Sequence, residues 1–257
     1  MNKPGAPERW LRRWWERTDA AQVTLVCFPH AGGAASSFVR LARGLPTAID
    51  TVAVQYPGRQ DRHAEAAVPS IAGLADRVAE VLAAKPSPLP TVLLGHSMGA
   101  VVAYEVAHRL AAQGAEPAGL IASGARAPAL MQRNRTDPAD DQELLEEMRL
   151  LSGTEAMVFD DDKLLELVLP PLRNDMTAIE TYVASTTTVD CPIGIFVGDS
   201  DPVVSVEEAK AWSEVTTAES SLQVFPGGHF YLTEPGSTAI GAMARRVLSF
   251  VAARAPR

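Results

Sequence analysis

The stretch TVLLGHSMGAVVAYEVAHRLAAQG, residues 91–114, decides the fold. It opens with a short apolar run typical of a buried strand, passes through Gly95-His96-Ser97-Met98-Gly99, and continues as a helix-like stretch. A serine on a sharp turn between a strand and a helix presents its hydroxyl as a nucleophile. We expect Gly95 and Gly99 to be glycines because a Cβ at either position would collide with nearby atoms.

Short apolar runs recur on both sides of this stretch and predict further strands. They occupy residues 23–28, 51–56, 119–124, 194–198 and 221–225. Because their apolar residues are continuous rather than alternating, they suit strands covered on both faces. An apolar stripe from Leu74 to Leu82 predicts a helix between Pro69 and Pro86. The alternation predicts an α/β fold class, with a mostly parallel central sheet and helices on both faces.

One segment, residues 136–190, lacks strand-like runs and predicts only helices. A first helix is expected from Asp137 to about Gly153, and a second carries a stripe from Leu164 to Leu172. The segment holds 14 acidic and three basic residues, whereas the rest of the chain holds 17 acidic and 20 basic ones. We predict a core built from 1–135 and 191–257, with 136–190 inserted as a helical lid.

Composition excludes several functional classes. The 257 residues carry 23 Lys and Arg against 31 Asp and Glu, a net charge of −8, which disfavours a nucleic-acid partner. Cys27 and Cys191 lie in apolar runs and are expected in the core, so neither a disulfide framework nor a cysteine-rich zinc site is predicted. No secretory signal or apolar span is found, so we expect a cytoplasmic protein without membrane association.

A serine nucleophile needs a general base and an orienting carboxylate further along the chain. His108 and His229 are the histidines after Ser97, and His108 is expected to lie on a solvated helix surface. His229 follows the last predicted strand on a glycine-flanked loop, which favours it as the base. Asp199 and Asp201 compete for the acid; Asp201 is favoured because Pro202 keeps it off a helix, whereas Asp199 could instead stabilise the turn.

The oxyanion hole is expected from two backbone N–H groups. One belongs to Met98, directly after the serine, and the second to the loop Phe28–Ala35, where Ala31 is the expected donor. Small residues in this loop allow a close approach of the backbone to a substrate. His30 lies in the same loop. Its interpretation as a group that packs beside the loop is at least as strong as its interpretation as a catalytic residue.

Five motifs in order then resemble one family. They are FPHAGG (28–33), YPGR (56–59), GHSMGA (95–100), GDSDPVV (198–204) and GGHFYL (227–232). Together they resemble the type II thioesterases that accompany modular polyketide and nonribosomal peptide synthetases. The resemblance implies an α/β-hydrolase fold with a helical lid between its sixth and seventh strands, and an editing activity that removes acyl groups from the phosphopantetheine arm of carrier proteins.

The resemblance also implies the roles of individual residues. It makes Ser97 the nucleophile, Asp201 the acid and His229 the base, with Ala31 and Met98 as oxyanion donors. No metal or organic cofactor is expected, the partners would be acyl or peptidyl carrier proteins, and the protein is expected to be a monomer. Five arginines could meet the phosphate of the arm or an acidic carrier, or could equally be ordinary solvated side chains: Arg59, Arg62, Arg126, Arg133 and Arg135.

Three alternatives stay open at this point. The same triad serves an esterase acting on small oxygen esters, since one fold hosts many acyl transfers. A type I chain-terminating thioesterase domain shares fold and triad, although a chain that begins with Met1 reads as free-standing. A non-catalytic module that recruits carrier proteins is the least expected, because the serine, acid and base are all present.

Overall fold

The computed structural model describes residues 7–131, 143–146, 162–185, 187–234 and 236–253. Within these ranges, seven strands form one sheet: β1 (Leu11–Arg12), β2 (Val23–Phe28), β3 (Ile49–Val54), β4 (Thr91–His96), β5 (Gly119–Ser123), β6 (Ile193–Gly198) and β7 (Ser220–Phe225). Their order across the sheet is β1-β3-β2-β4-β5-β6-β7. All six strands predicted from the sequence are present. The two-residue β1 was not foreseen because it is too short to leave a pattern.

The helices of the described residues are α1 (Pro7–Trp10), α2 (Val39–Gly44), α3 (Ile71–Ala84), α4 (Met98–Ala112), α5 (Asp162–Glu180), α6 (Val206–Lys210) and α7 (Ala239–Ala252). Ser70 caps α3 by accepting a hydrogen bond from the N–H of Gly73. Helix α3 covers the apolar stripe from Leu74 that predicted it.

Six of the seven strands run parallel, and only β1 pairs antiparallel with its neighbour β3. The register aligns the last residues of adjacent strands, as in the pairs Phe28 with Gly95 and Gly198 with Phe225. The loops that follow the parallel strands therefore meet at one edge of the sheet. The predicted α/β class with a mostly parallel sheet is confirmed.

Both faces of the sheet are buried, which explains the continuous apolar runs. Val26 and Leu93 pack with α3 and α4 on one face, whereas Leu25 and Leu94 pack with α7 on the other. Cys27 and Cys191 are buried as free thiols, as predicted, and burial raises the pKa of Cys27 above its usual value. No helix within the described ranges is long and apolar enough to cross a membrane.

The connection from β5 to β6 contains the predicted lid, one strand earlier in the count than the resemblance implies. Helix α5 lies within it and continues through Pro170 and Pro171, which have no N–H to donate to the preceding turn. The helix expected from Asp137 to Gly153 lies outside the described residues except for 143–146, which are helical. The division into core and lid stays a prediction.

Candidate active site

Ser97 lies between β4 and α4, at the edge of the sheet where the strand-ending loops meet. Its backbone is left-handed, with φ 54° and ψ −125°, a conformation that costs a non-glycine residue about 1–3 kcal/mol. The N–H of Ser97 donates to the carbonyl oxygen of Ser123 at 2.8 Å, so the end of β5 holds the turn. This strained strand-to-helix turn has the geometry expected of a nucleophile elbow.

The glycines on either side of Ser97 leave space that other residues would fill. A Cβ at Gly95 would overlap the backbone of Gly99 and Ala100, and a Cβ at Gly99 would overlap the carbonyl group of Phe28. Every one of these obstacles is backbone, which cannot move aside as a flexible side chain can. Close approach therefore requires glycine at both positions, as the sequence predicted.

His229 lies on the loop after β7 and contacts the loop after β6. Its Nδ1 is 2.8 Å from Oδ2 of Asp201, and the two side chains are 2% and 0% exposed. The other carboxylate oxygen, Oδ1, accepts the backbone N–H groups of Val203 at 2.9 Å and Val204 at 3.2 Å. A carboxylate held in this way fixes the imidazole with its proton on Nδ1 and leaves Nε2 available as a base.

Asp199 has a different environment from Asp201. It is exposed, and its Oδ1 accepts hydrogen bonds from the hydroxyl of Ser200 at 2.8 Å and the N–H of Gly227 at 3.1 Å. These hydrogen bonds, that of Ser200 first, lower the pKa of Asp199 below its ordinary value. Asp199 thus joins the loop that carries Asp201 to the loop that carries His229. This is the turn-stabilising role that the sequence left open as an alternative.

Two further imidazoles pack beside His229. The ring of His96 lies 5.0 Å from that of His229, and His30 lies 6.0 Å from His96. Burial, followed by the nearby His229, lowers the pKa of His96 well below its usual value and that of His30 to about 4. Both rings are therefore neutral near pH 7 and place no positive charge beside His229.

The outer contacts of these two histidines are structural. His96 Nδ1 lies 2.9 Å from Oγ of Ser123, which lies 2.6 Å from the hydroxyl of Tyr231, so a buried chain of polar groups fixes the ring. The ring of His30 packs edge-on against Phe230 at 4.9 Å. That contact favours the packing interpretation of His30.

A cavity of about 190 Å³ lies beside Ser97. The expected nucleophile, base and both oxyanion residues line it: Ser97, His229, Ala31 and Met98. Most of the other lining side chains are apolar, among them Val101, Leu144, Leu172, Met176, Ile179, Val203 and Val204. An apolar cavity of about 150 Å³ accepts a benzene molecule, so the space here suits a short acyl chain.

Four methionines lie in or beside the 136–190 segment in the sequence, and two of them, Met131 and Met176, line the cavity beside Ser97. Met148 and Met157 lie outside the described residues. His108, expected on a solvated helix surface, is half-buried there, and its ring packs edge-on against Tyr104 at 4.6 Å.

The hypothesis that Arg59 and Arg62 meet an incoming phosphate is wrong. Both side chains are only 4% exposed: Arg59 pairs with Asp175 at 2.7 Å and Arg62 with Glu65 at 2.6 Å. Burial and pairing remove both from solvent. Arg126 is 43% exposed, lines the cavity and pairs with Glu208 at 2.8 Å. Arg133 and Arg135 lie outside the described residues.

Sequence reasoning missed two residues that hold the loop Phe28–Ala35. Gln55 accepts the N–H of Ala35 at 2.9 Å, and Asp175 accepts the N–H of Gly32 at 2.9 Å. The sequence does contain a signal for Asp175, because a carboxylate at this position lies on the apolar face of α5 that also carries Leu172. Gln55 left no comparable signal.

A family model described as a thioesterase domain matches residues 23–248, which include the turn at Ser97 and the loops after β6 and β7. The chain belongs to the thioesterase family. This thioesterase is 44% identical over 230 residues to a probable cadicidin biosynthesis thioesterase of Streptomyces griseus, with 88% of the chain and 62% of that relative covered. The chain thus spans less than two thirds of the length of that relative.

In two further comparisons, the alignment covers most of both proteins. The thioesterase is 42% identical to thioesterase PikA5 of Streptomyces venezuelae, over 88% of the chain and 80% of the relative. Among solved structures, the type II thioesterase BorB from the borrelidin biosynthetic cluster superimposes with a TM-score of 0.80 at 37% identity, covering 94% of the chain and 97% of BorB. The resemblance drawn from the motifs and the assignment to the hydrolases are confirmed.

Proposed function

We propose that this thioesterase is a type II editing enzyme that hydrolyses short acyl thioesters on the phosphopantetheine arm of acyl or peptidyl carrier proteins. The observation that carries the proposal is the strained Ser97 and the Asp201-bonded His229 on one small apolar cavity. The named activities of BorB and of the biosynthetic relatives support the choice of a carrier-bound thioester over other esters.

The first half of the reaction transfers the acyl group to the protein. His229 Nε2 takes the proton of the Ser97 hydroxyl as its oxygen attacks the thioester carbonyl carbon. The N–H groups of Ala31 and Met98 stabilise the oxyanion, and Asp201 stabilises the imidazolium. When the C–S bond breaks, His229 returns the proton to the pantetheine sulfur, which leaves as a thiol.

The second half releases the acid. His229 deprotonates a water molecule that attacks the acyl-serine ester, the same N–H groups stabilise the second oxyanion, and the proton returns to the oxygen of Ser97. His30 and His96 are neutral, so the imidazolium that forms in each half does not meet a second charged imidazole. Every proton and bond is accounted for by these residues and water, and no metal or organic cofactor takes part.

The small cavity supports the preference for short acyl groups. About 190 Å³ of mostly apolar space limits how much of an extended polyketide or peptide chain could be buried beside Ser97. A short acyl group that stalls a carrier would fit. At the edge of the cavity, the partly exposed guanidinium of Arg126 is the candidate partner for the phosphate of the arm. We place the reaction in the cytoplasm and propose a monomer.

The test compares three substrates that share one acyl group. Propionyl carrier protein, propionyl pantetheine and an aryl propionate are each assayed with the wild type and with Ser97→Ala. We expect the highest kcat/KM for the carrier and loss of all three activities in Ser97→Ala. An aryl ester hydrolysed as efficiently as the carrier would instead support the esterase alternative, and equal rates for wild type and Ser97→Ala would support a non-catalytic module.

A further inference from the structure

We propose that Asp175 is a positioning residue for hydrolysis. From α5 it holds the oxyanion loop, defined as Phe28–Ala35, in the conformation that aims the N–H of Ala31 at the reacting carbonyl. The position of α5 would then determine whether the N–H of Ala31 is placed to stabilise an oxyanion. The inference rests on the proposed function, because it assigns to Ala31 the role of oxyanion donor.

Both carboxylate oxygens of Asp175 accept hydrogen bonds. Its side chain is 0% exposed; Oδ2 accepts the N–H of Gly32 at 2.9 Å and one guanidinium nitrogen of Arg59 at 2.7 Å. Oδ1 accepts the second nitrogen of Arg59 at 2.8 Å. A bidentate arginine fixes the orientation of a carboxylate as well as its position. The acceptor that Gly32 meets is therefore rigid.

Arg59 completes the grip on the oxyanion loop. The nitrogen that bonds Oδ2 of Asp175 also donates to the carbonyl oxygen of Gly33 at 2.8 Å. The loop is thus held at the N–H of Gly32 by the carboxylate and at the carbonyl of Gly33 by the guanidinium. Fixing the N–H of Gly32 fixes the peptide plane that follows Ala31, which restricts rotation about the backbone of Ala31 itself.

One backbone hydrogen bond, from the N–H of Gly33 to the carbonyl oxygen of His30 at 3.0 Å, closes a turn inside the oxyanion loop, and Asp175 holds this turn from outside. Gly32 has φ +70° and neighbours a second glycine, Gly33, and glycine has the largest conformational freedom of any residue. Leu172, one turn before Asp175 on α5, adds apolar contact with Ala31 and would meet a Cβ placed at Gly32 at 3.4 Å. Helix α5 therefore packs on the loop beside its polar contact.

Among the described residues, other contacts also join α5 and the residues just after it to the rest of the protein, and two hydrogen bonds of this kind do not touch the oxyanion loop. Asn174 donates to the carbonyl oxygen of Val68 at 2.9 Å. Tyr182 donates its hydroxyl to Oε1 of Glu105, in α4, at 2.8 Å. Removing the hydroxyl of Tyr182 loosens the same region without changing the hydrogen bonds of the loop, so Tyr182→Phe is a matched control for Asp175→Ala.

The test measures steady-state hydrolysis of an aryl propionate and of propionyl carrier protein, together with inhibition by phenylboronic acid. A boronic acid adds to a serine as a tetrahedral anion, so its affinity reports on the oxyanion hole. For Asp175→Ala we expect kcat to fall about 10- to 100-fold, less than or equal to the loss of one oxyanion donor, with little change in KM. The inhibition constant of the boronic acid should rise in parallel, and Tyr182→Phe should retain the wild-type values.

A second variant separates positioning from folding. Asp175→Ala leaves the buried charge of Arg59 unpaired, which destabilises a protein, whereas replacing both partners by apolar residues avoids that cost. We expect the double variant Arg59→Met with Asp175→Leu to recover a Tm near that of the wild type while its kcat stays low. Recovery of kcat together with Tm, or boronic acid inhibition unchanged in Asp175→Ala, would overturn the positioning role.

The two proposals fail in different ways. If the wild type is active and the Asp175 variants match it, only the positioning role is lost. If the wild type and Ser97→Ala are equally inactive towards both substrates, the proposed function is lost, and the positioning role is lost with it.

Discussion

Asp201 and Asp199 are two residues apart, yet only Asp201 reaches His229, with Oδ2 2.8 Å from Nδ1 of the imidazole. The proline after Asp201 and the N–H groups of Val203 and Val204 turn its carboxylate inward. Asp199 turns outward and bonds Ser200 and Gly227. Two carboxylates on one loop thus have separate tasks.

Substitution of each carboxylate should separate these tasks. Asp201→Asn should lower kcat by about 10³- to 10⁴-fold, because the amide no longer holds the imidazole in the tautomer that leaves Nε2 basic. Asp199→Asn keeps an acceptor for Gly227 and should change kcat less than about tenfold. Assay of the same acyl ester at one pH checks both. Similar losses in the two variants would contradict the assignment.

The half-buried His30 should make folding stability depend on pH. His30 has a folded pKa of about 4, below its unfolded value of 6.5, so the unfolded chain binds the proton first as the pH falls. Its contribution is complete above pH 6.5 and is lost towards pH 4. Between pH 7.5 and pH 5 the free energy of unfolding should fall by about 2 kcal/mol from this group.

Urea unfolding at the two pH values measures that change. In His30→Phe the difference in the free energy of unfolding between pH 7.5 and pH 5 should shrink by about 2 kcal/mol. An identical pH dependence in the variant would show that His30 is protonated equally in both states.

The turn at Ser97 should tolerate no added Cβ. Gly95→Ala would place a methyl group on the backbone of Gly99 and Ala100, so we expect a loss of more than about 4 kcal/mol of stability or no folded protein. Gly114→Ala is the control, because a Cβ at Gly114 would meet open space and would cost only the strain of its φ of +74°. It should cost only about 1–2 kcal/mol. Thermal unfolding compares the two, and equal losses would contradict the steric argument.

The acyl cavity should govern chain-length preference. Met176→Ala enlarges the space beside Ser97, and each buried methylene is worth about 0.8 kcal/mol, so the ratio of kcat/KM for hexanoyl over propionyl thioester should rise about tenfold or more. Met243→Ala is the control, since Met243 is fully buried in the core against the other face of the sheet. It should lower stability and leave the ratio unchanged. An unchanged ratio in Met176→Ala would place the acyl chain elsewhere.

Local patterns in the sequence carried most of the fold and the candidate site. The continuous apolar runs predicted strands because burial on both faces leaves that pattern, and Ser97, Asp201 and His229 each follow a strand whose end the runs mark. These patterns could not predict contacts between segments that are distant in the sequence. Arg59 pairs with Asp175, 116 residues later, and no periodicity joins the two. Without its partner, Arg59 is indistinguishable in the sequence from a solvated arginine or one that could meet a phosphate or an acidic carrier.

The most direct measurement is the detection of an acyl group on Ser97 during turnover. Propionyl carrier protein is mixed with the wild type, the reaction is stopped with acid at short times, and peptides are analysed by mass spectrometry. We expect a propionyl group on the peptide containing Ser97 while free propionate accumulates, and neither product with Ser97→Ala. Release of propionate at an undiminished rate by Ser97→Ala, with no acyl group on the peptide, would contradict the account.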